Sequence, residues 1–482
     1  MTDRAGYVSA TGTRIAAVGV ALLVVLLLCA GRIWLIPAHF STDPNEGWNA
    51  FQALRALGAG PLYPPPGSLT GNNYPPASFF IVGWAGRTTG DNIVAGRIIA
   101  FVSVLVVSGF IFAAVRMMGV RSDLAPTIGI LLFLGFNATI FRSYLAMDDP
   151  QWLGHAFMTA GLFLLLASHR QRPLEAGRVV VAALLVLVGG FVKHNLFAFP
   201  LAATLWLMLH DRRALLVWII TSALALVAAA ALLYDTYGTA FFADLMASDR
   251  HYSWWRAALR SAVPIGAMLP MILVTSKLWK ARRTDRRIDL LLLMVAISVP
   301  LGIFERSGQG VDRNAHFEAL IALSISTSVS LGRCGLALEP LLLRPAPWLI
   351  VPFLVLLPSA FQADMEELLH RTDRQTAWNV MQDRVAAIPG RVACETSAIC
   401  YWAGKRFEID FFLYGQHVAI HHDAAALARA LAERRFAAIE LDRQPSRLPP
   451  GEIGNPLRAL IPRSYRPVLV DDEGHRLFTP AR

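Results

Sequence analysis

Apolar and polar residues follow one another along this chain in long blocks, not at the short period of a soluble fold. Apolar stretches stand out at about 15–36, 93–115, 125–143, 150–168, 179–192, 196–210, 214–234, 261–279, 288–304, 317–332 and 346–361. Several approach or exceed the roughly 18–20 residues that an α-helix needs to cross a bilayer. We read all eleven as membrane-spanning helices. The first is too long for a signal-peptide core and is followed by many more spans, so it reads as an uncleaved anchor. A shorter apolar piece at 77–86 cannot cross and is expected to dip into the outer interface.

The loops between these stretches give an orientation. Arg170, Arg172 and Arg178 crowd one loop, Arg212 and Arg213 another, and Lys277, Lys280, Arg282, Arg283, Arg286 and Arg287 a third. All three fall on the side of the N-terminus, which carries Arg4 and Arg14. The positive-inside rule makes that side cytoplasmic. The first loop, 37–92, and the tail, 362–482, then lie on the opposite face. The expected location is multi-pass in a bacterial cytoplasmic (inner) membrane, with the tail periplasmic.

That first loop carries the pattern STDPNEGWNAFQALRALGAGPLYPPPGSLTGNNYPP at 41–76. It is too long and polar to be a tight connection, yet it holds several aromatic residues and does not read as disordered. Asp43, Pro44 and Glu46 form a helix start of the capping-box kind, with Asp43 as N-cap and Pro44 first in the helix. Trp48, Phe51 and Leu54 then recur every three residues, as in a short amphipathic helix lying in the interface. Asp43 has two readings here, a cap or a chemical group.

The same face gathers further polar residues: Asp148-Asp149-Pro150, Lys193-His194-Asn195, Asp249-Arg250-His251 with Trp254 and Trp255, Glu305-Arg306, and 312–318. Singly, each has a structural explanation as a helix cap, an interfacial belt or a surface ion pair. Together they point to function, because charge at membrane depth is costly. Lys193 is the sharpest case. The 14 apolar residues before it rise about 21 Å at 1.5 Å each, less than the hydrocarbon core of about 30 Å. Its ammonium therefore stops inside the headgroup layer, where it snorkels or meets a partner.

The tail differs, having no span and ordinary charge density. Residues 391–395 and 436–441 read as strands, 424–435 as an amphipathic helix and 465–478 as a hairpin turning at Asp472-Glu473-Gly474. It is long enough for one small α/β domain. It carries no nucleophile elbow, phosphate loop or metal spacing, so acceptor binding or capping of the membrane site is its expected role. The fold class is thus mainly α, a polytopic helical membrane domain over 1–361 with a C-terminal α/β domain over 362–482.

At 55% hydrophobic residues the chain is too apolar for an ordinary soluble enzyme. Its net charge of +10 does not indicate nucleic acid, because 362–482 holds 16 basic and 16 acidic residues and the excess lies wholly among the spans. Of the four cysteines, Cys394 and Cys400 pair if the tail is outside the cytoplasm; two reduced, buried thiols are the alternative.

An acidic residue early in the first outer loop, a helix of the form Asn-x-x-x-Ala-x-x-x-Leu from Asn49 to Leu57, and Asn73-Tyr74-Pro75-Pro76 together resemble the GT-C membrane glycosyltransferases. In pattern they are similar to the protein O-mannosyltransferases and the lipid A aminoarabinose transferases. Asp148-Asp149, Lys193 and Asn314–Glu318 also resemble that class. The sequence departs from it in carrying Asp-Pro-Asn-Glu where many members have adjacent Asp-Glu. The resemblance implies inverting transfer of a hexosyl or pentosyl group from a polyprenyl-phosphate donor to a lipid, glycan or protein acceptor outside the cytoplasm. Asp43 would be the base, with Glu46 its orienting neighbour or the alternative. The lipid phosphate needs a cation, for which Lys193, His194 and Arg313 are candidates. Tyr74, Asp148, Asp149, Asn314, His316 and Glu318 complete the expected substrate-binding set. No cofactor is specified, and a divalent metal ion at Asp148-Asp149 is left open. The alternative class is a transporter or flippase of a lipid-linked sugar, against which stand the lack of an internal repeat and the gathering of polar groups at one face. A non-catalytic scaffold would leave the clustered charges without a purpose.

The charge bias makes one direct prediction. A reporter active only in the periplasm, fused after Arg482, will be active, whereas a signal from a cytoplasmic reporter alone would overturn the map.

Overall fold

The computed structural model describes residues 19–120, 124–167, 174–246, 250–334, 348–443, 454–471 and 473–481. Arg4, Arg14, Arg170, Arg172, Asp249 and Asp472 lie outside the described residues. Every stretch read as a span contains an apolar helix. In chain order these are α1 (Gly19–Trp34), then α4 (Asn92–Met117), α5 (Leu124–Ala138), α6 (Gln151–Leu166), α7 (Ala176–Val192), α8 (Ala198–His210), α9 (Arg212–Tyr237), α11 (Trp254–Ser276), α13 (Arg287–Glu305), α14 (Phe317–Cys334) and α15 (Val351–Leu369). Between them lie α2 (Asn45–Ala56), α3 (Ala77–Thr89), α10 (Thr239–Met246) and the single turn α12 (Leu278–Ala281). Among the described residues, five helical stretches are long and apolar enough to cross a membrane unaided, and five shorter apolar helices accompany them.

The helix ends follow from local chemistry. Asp91 caps α4 by accepting hydrogen bonds from the amides of Ile93 and Val94, and Asp211 caps α9 through the amide of Ala214. Helices α6 and α7 approach so closely that a Cβ on Gly189 would lie 2.8 Å from the Gly154 carbonyl oxygen. Gly161 meets α7 in the same way at Ala182. This antiparallel contact brings the start of α6, just after Asp149, beside the end of α7, just before Lys193.

Helix α15 runs beyond the last predicted span to Leu369, where α16 (Arg371–Ala387) continues the chain. Its Asp364 and Glu367 take ion pairs from Arg32 at the end of α1 and from Arg142 after α5. The tail is thereby anchored to the bundle. It holds four strands, β1 (Val392–Cys394), β2 (Ala438–Leu441), β3 (Tyr465–Val470) and β4 (Arg476–Pro480), in one sheet of order β1-β2-β4-β3. β1 pairs parallel to β2; β4 pairs antiparallel to both β2 and β3. Helices α17 (Ser397–Trp402), α18 (Leu413–His421) and α19 (Ala425–Ala432) connect β1 to β2, and the single turn α20 (Leu457–Leu460) precedes β3. Cys394 and Cys400 are disulfide-bonded, tying α17 to the sheet. α17 lies across α2 so tightly that a Cβ on Gly47 would overlap the backbone of Ala398.

One buried ion pair fixes the first loop. Arg97, fully buried on α4, donates from Nε and Nη2 to both oxygens of Glu46, each at 2.7 Å. Its remaining hydrogens go to the carbonyls of Leu35, Ile36, Ala38 and Phe40. Glu46 also accepts from the amides of Thr42 and Asp148. Burial alone would raise this carboxyl, but the Arg97 guanidinium holds it below the usual range. Removing one partner of such a pair costs about 3–5 kcal/mol, because the other charge stays buried. Glu46→Gln is therefore expected to lower the thermal midpoint of the detergent-solubilised protein sharply, and an unchanged midpoint would contradict the hub.

Candidate functional site

The expected capping box at 43–46 forms in altered shape. Helix α2 starts at Asn45 instead of Pro44, and Glu46 turns back to Thr42 while its charge is spent on Arg97. Asp43 accepts from the Asn45 amide through Oδ1 at 2.9 Å. Its other oxygen takes no hydrogen bond from a described residue. Burial and the nearby carboxylates Glu46, Asp149 and Asp312 push its pKa up to about 7, against the hydrogen bond from Asn45.

Beside Asp43 lies a cavity with two lobes. The first, of about 160 Å³, is lined by Pro44, Asn45, Trp48, Asn49 and Tyr144 from the membrane side. Its roof comes from the tail, through Ser397, Asp410 and Phe412. The second, of about 200 Å³, contains Lys193, His194, Asn195, Tyr252, Phe304 and Glu305. Asn73, Tyr74, Arg250, Gly310 and Asn314 line both. Tyr252 and Phe304 are exposed, so the second lobe opens towards an apolar part of the surface.

At the junction, Lys193 is buried and sits 3.4 Å from both oxygens of Asp149, with its ammonium 5.1 Å from the centre of the Tyr74 ring. Snorkelling is thus excluded: the ammonium has a protein partner supplied by the α6–α7 contact. Asp149, not Asp148, caps α6, taking the Gln151 amide at 2.8 Å. Arg250 donates to the Gln309 carbonyl and lies over Phe412, and makes no ion pair with a described carboxylate. It is the site residue that sequence reasoning undervalued, noted only as one charge in a cluster. Nothing in its local pattern distinguished it.

The roof is fastened by polar contacts. The Trp48 indole donates to Asp410 at 2.7 Å, the Asn92 amide to the Tyr401 hydroxyl, and the Trp402 indole to Asp91. Asp410 is pushed up to about 6 by burial, although the amides of Phe412 and Leu413 and the Trp48 indole hydrogen-bond to it.

Of the residues expected in the site, the structure brings together Tyr74, Asp149, Lys193, His194 and Asn314, with Asp43 at the edge. It does not bring in the others. Asp148 packs on Gly96, where any side chain would overlap it, and lines neither lobe. Glu318 accepts the amides of Ala198 and Phe199 and so caps α8 from a neighbouring helix. His316 is buried in the wall beside Gly302. Arg313 is exposed and donates to the Ile140 carbonyl outside the lobes. Among the described residues, no three His, Cys, Asp or Glu side chains gather as metal ligands.

No family model and no curated protein sequence matches the chain. Its likeness is to solved structures. ArnT from Cupriavidus metallidurans in the apo state is 15% identical over 98% of each chain, with a TM-score of 0.59. The same protein bound to undecaprenyl phosphate is 16% identical over 97% of this chain and 98% of that one, with a TM-score of 0.57. The chain has the GT-C fold. The likeness spans the tail as well as the bundle.

Lys193→Met strands Asp149 in a buried setting and is expected to destabilise the protein by about 3–5 kcal/mol. Adding Asp149→Asn should recover most of that loss, since the double variant leaves no buried charge. Thermal midpoints of the single and double variants test this, and additive losses would show that the two residues are not a pair.

Proposed function

We propose that the chain is an inverting glycosyltransferase that moves a sugar from a polyprenyl-phosphate donor to an acceptor hydroxyl on the outer face of the bacterial inner membrane. The observation that carries this reading is the two-lobed cavity. A carboxylate with one uncommitted oxygen stands beside the first lobe, Arg250 lines both lobes and Lys193 the second, and the second lobe opens towards exposed aromatic side chains that would face lipid. The fold supports it, since an ArnT of the same fold is described as bound to undecaprenyl phosphate.

In this reading the donor's phosphate occupies the second lobe, its isoprenoid chain leaving past Tyr252 and Phe304. Arg250 supplies the main positive charge there, because Lys193 is already neutralised by Asp149. The Lys193–Asp149 pair and Tyr74 hold the sugar at the junction. His194 and Asn314 contribute hydrogen bonds. The acceptor enters beneath the tail. Asp43 takes the proton of its hydroxyl as the oxygen attacks the anomeric carbon. The carbon–oxygen bond to phosphate breaks on the opposite face, which inverts the centre. The phosphate departs as an anion that Arg250 stabilises, so no general acid is needed.

Glu46 is not a second base in this scheme. Its oxygens are taken by Arg97, and its part is to hold the 41–44 loop that presents Asp43. Asp148, His316 and Glu318 likewise act on the frame. The scheme routes no step through a metal ion at Asp148-Asp149. The Cys394–Cys400 disulfide supports a tail in an oxidising compartment.

The Asn45 amide caps equally well on an Asn side chain, so Asp43→Asn should leave the thermal midpoint in place while reducing transfer by about two orders of magnitude or more. The sign of the pH dependence follows from the raised carboxyl. A base must be deprotonated, so wild-type turnover should rise with pH through a midpoint near 7. Near-normal turnover by the Asn variant would reduce Asp43 to a cap.

A further inference from the structure

On the other side of the loop that walls both lobes lies a separate groove of about 510 Å³. Arg260, Arg306 and Arg313 line it against a single carboxylate, Asp312, with Leu259, Val263 and Pro264 of α11 as its apolar side. Gly310 belongs to this groove and to both lobes, so the groove stands back to back with the site and shares none of its charged groups.

Arg306 is buried in the structure and is the floor of the groove. It donates from Nη1 to the Val311 carbonyl and to Asp312 at 3.0 Å. Its Nε is buried and has no hydrogen-bond partner among the described residues. Arg313 is exposed at the rim.

The depth is that of a lipid headgroup. Trp254 and Trp255 at the start of α11 are exposed, as in an interfacial aromatic belt. Leu259 and Val263 lie five and nine residues further along the helix, about 8 and 14 Å at 1.5 Å each. Both are exposed, so they meet acyl chains once a bilayer surrounds α11. A guanidinium cluster directly above exposed apolar side chains matches a phosphate joined to a hydrocarbon tail.

We propose that this groove binds the phosphate of an anionic lipid in the leaflet on the tail's side of the membrane. The proposal is independent of the glycosyltransferase reading, since it names a ligand outside both lobes and needs no turnover to test.

The experiment is native mass spectrometry of the purified full-length protein in detergent. It is mixed with equal amounts of phosphatidylglycerol and phosphatidylcholine of identical acyl chains. The wild type should retain phosphatidylglycerol preferentially, and each guanidinium removed should lower that preference about fivefold. Arg313→Gln, at an exposed position, tests the rim without risk to the fold, and Arg313→Lys should keep most of the preference. Arg260→Gln with Arg313→Gln should bring the two lipids near parity. Arg283→Gln, an exposed arginine in the basic loop before α13, should change nothing. Parity in the wild type, or an undiminished preference in the double variant, would overturn the proposal. Millimolar inorganic phosphate should not displace the lipid, and full displacement would reassign the groove to a free anion.

Discussion

The structure depends first on a guanidinium in a place where water cannot reach it. Arg97 lies inside an apolar helix, and a lone charge there would be prohibitively costly. It is tolerable only because Glu46 and four carbonyls of the 35–40 segment close around it. That requirement works in both directions. The guanidinium dictates the path by which the chain leaves α1 and enters α2. Through the Asp148 amide, it also dictates where the loop before α6 comes to rest. Asp149 in the wall of the cavity and Asp43 at its edge are thus held in place by one buried pair to which neither belongs.

A second constraint is the glycine contact between α6 and α7. It lets a lysine that ends one helix reach a carboxylate that begins the other, forming a buried ion pair. The consequence is electrostatic. With Lys193 and Asp149 neutralising each other, Arg250, which lines both lobes, is left as the cation without a carboxylate partner among the described residues, and Asp43 stands beside the first lobe. A reaction that separates a proton from one substrate and an anion from another is well served by those two groups. The tail completes the arrangement by roofing the first lobe. It is fixed to α2 and α4 through the indoles of Trp48 and Trp402 and the hydroxyl of Tyr401.

Much of the fold was legible in the sequence, because hydrophobic blocks are a direct record of burial in lipid. Each predicted span contains an observed helix, and the hairpin and both early strands of the tail were readable from alternation and turn residues. The site was legible in part. Residues that end or precede spans, such as Asp149 and Lys193, could be placed at one face by topology alone. Which of two adjacent carboxylates turns inward could not, because the choice between Asp148 and Asp149 is made by packing against Gly96. Glu318 and His316 read as site residues since buried charge suggests function, yet Glu318 is explained by the unpaired amides at the start of α8. Arg97 was the missed signal. A single arginine inside an otherwise apolar run asks where its partner is, and the only other acidic residues at that end of the bundle lay in loops already under discussion.

The central claim is that this molecule consumes a sugar carried on a polyprenyl phosphate. It is tested most directly by mass spectrometry of lipid-linked sugars and envelope glycans in cells with and without the protein. The account predicts that loss of the protein leaves one polyprenyl-phosphate sugar accumulated and one envelope glycan short of that same sugar. An unchanged lipid-linked pool together with unchanged glycans would contradict it.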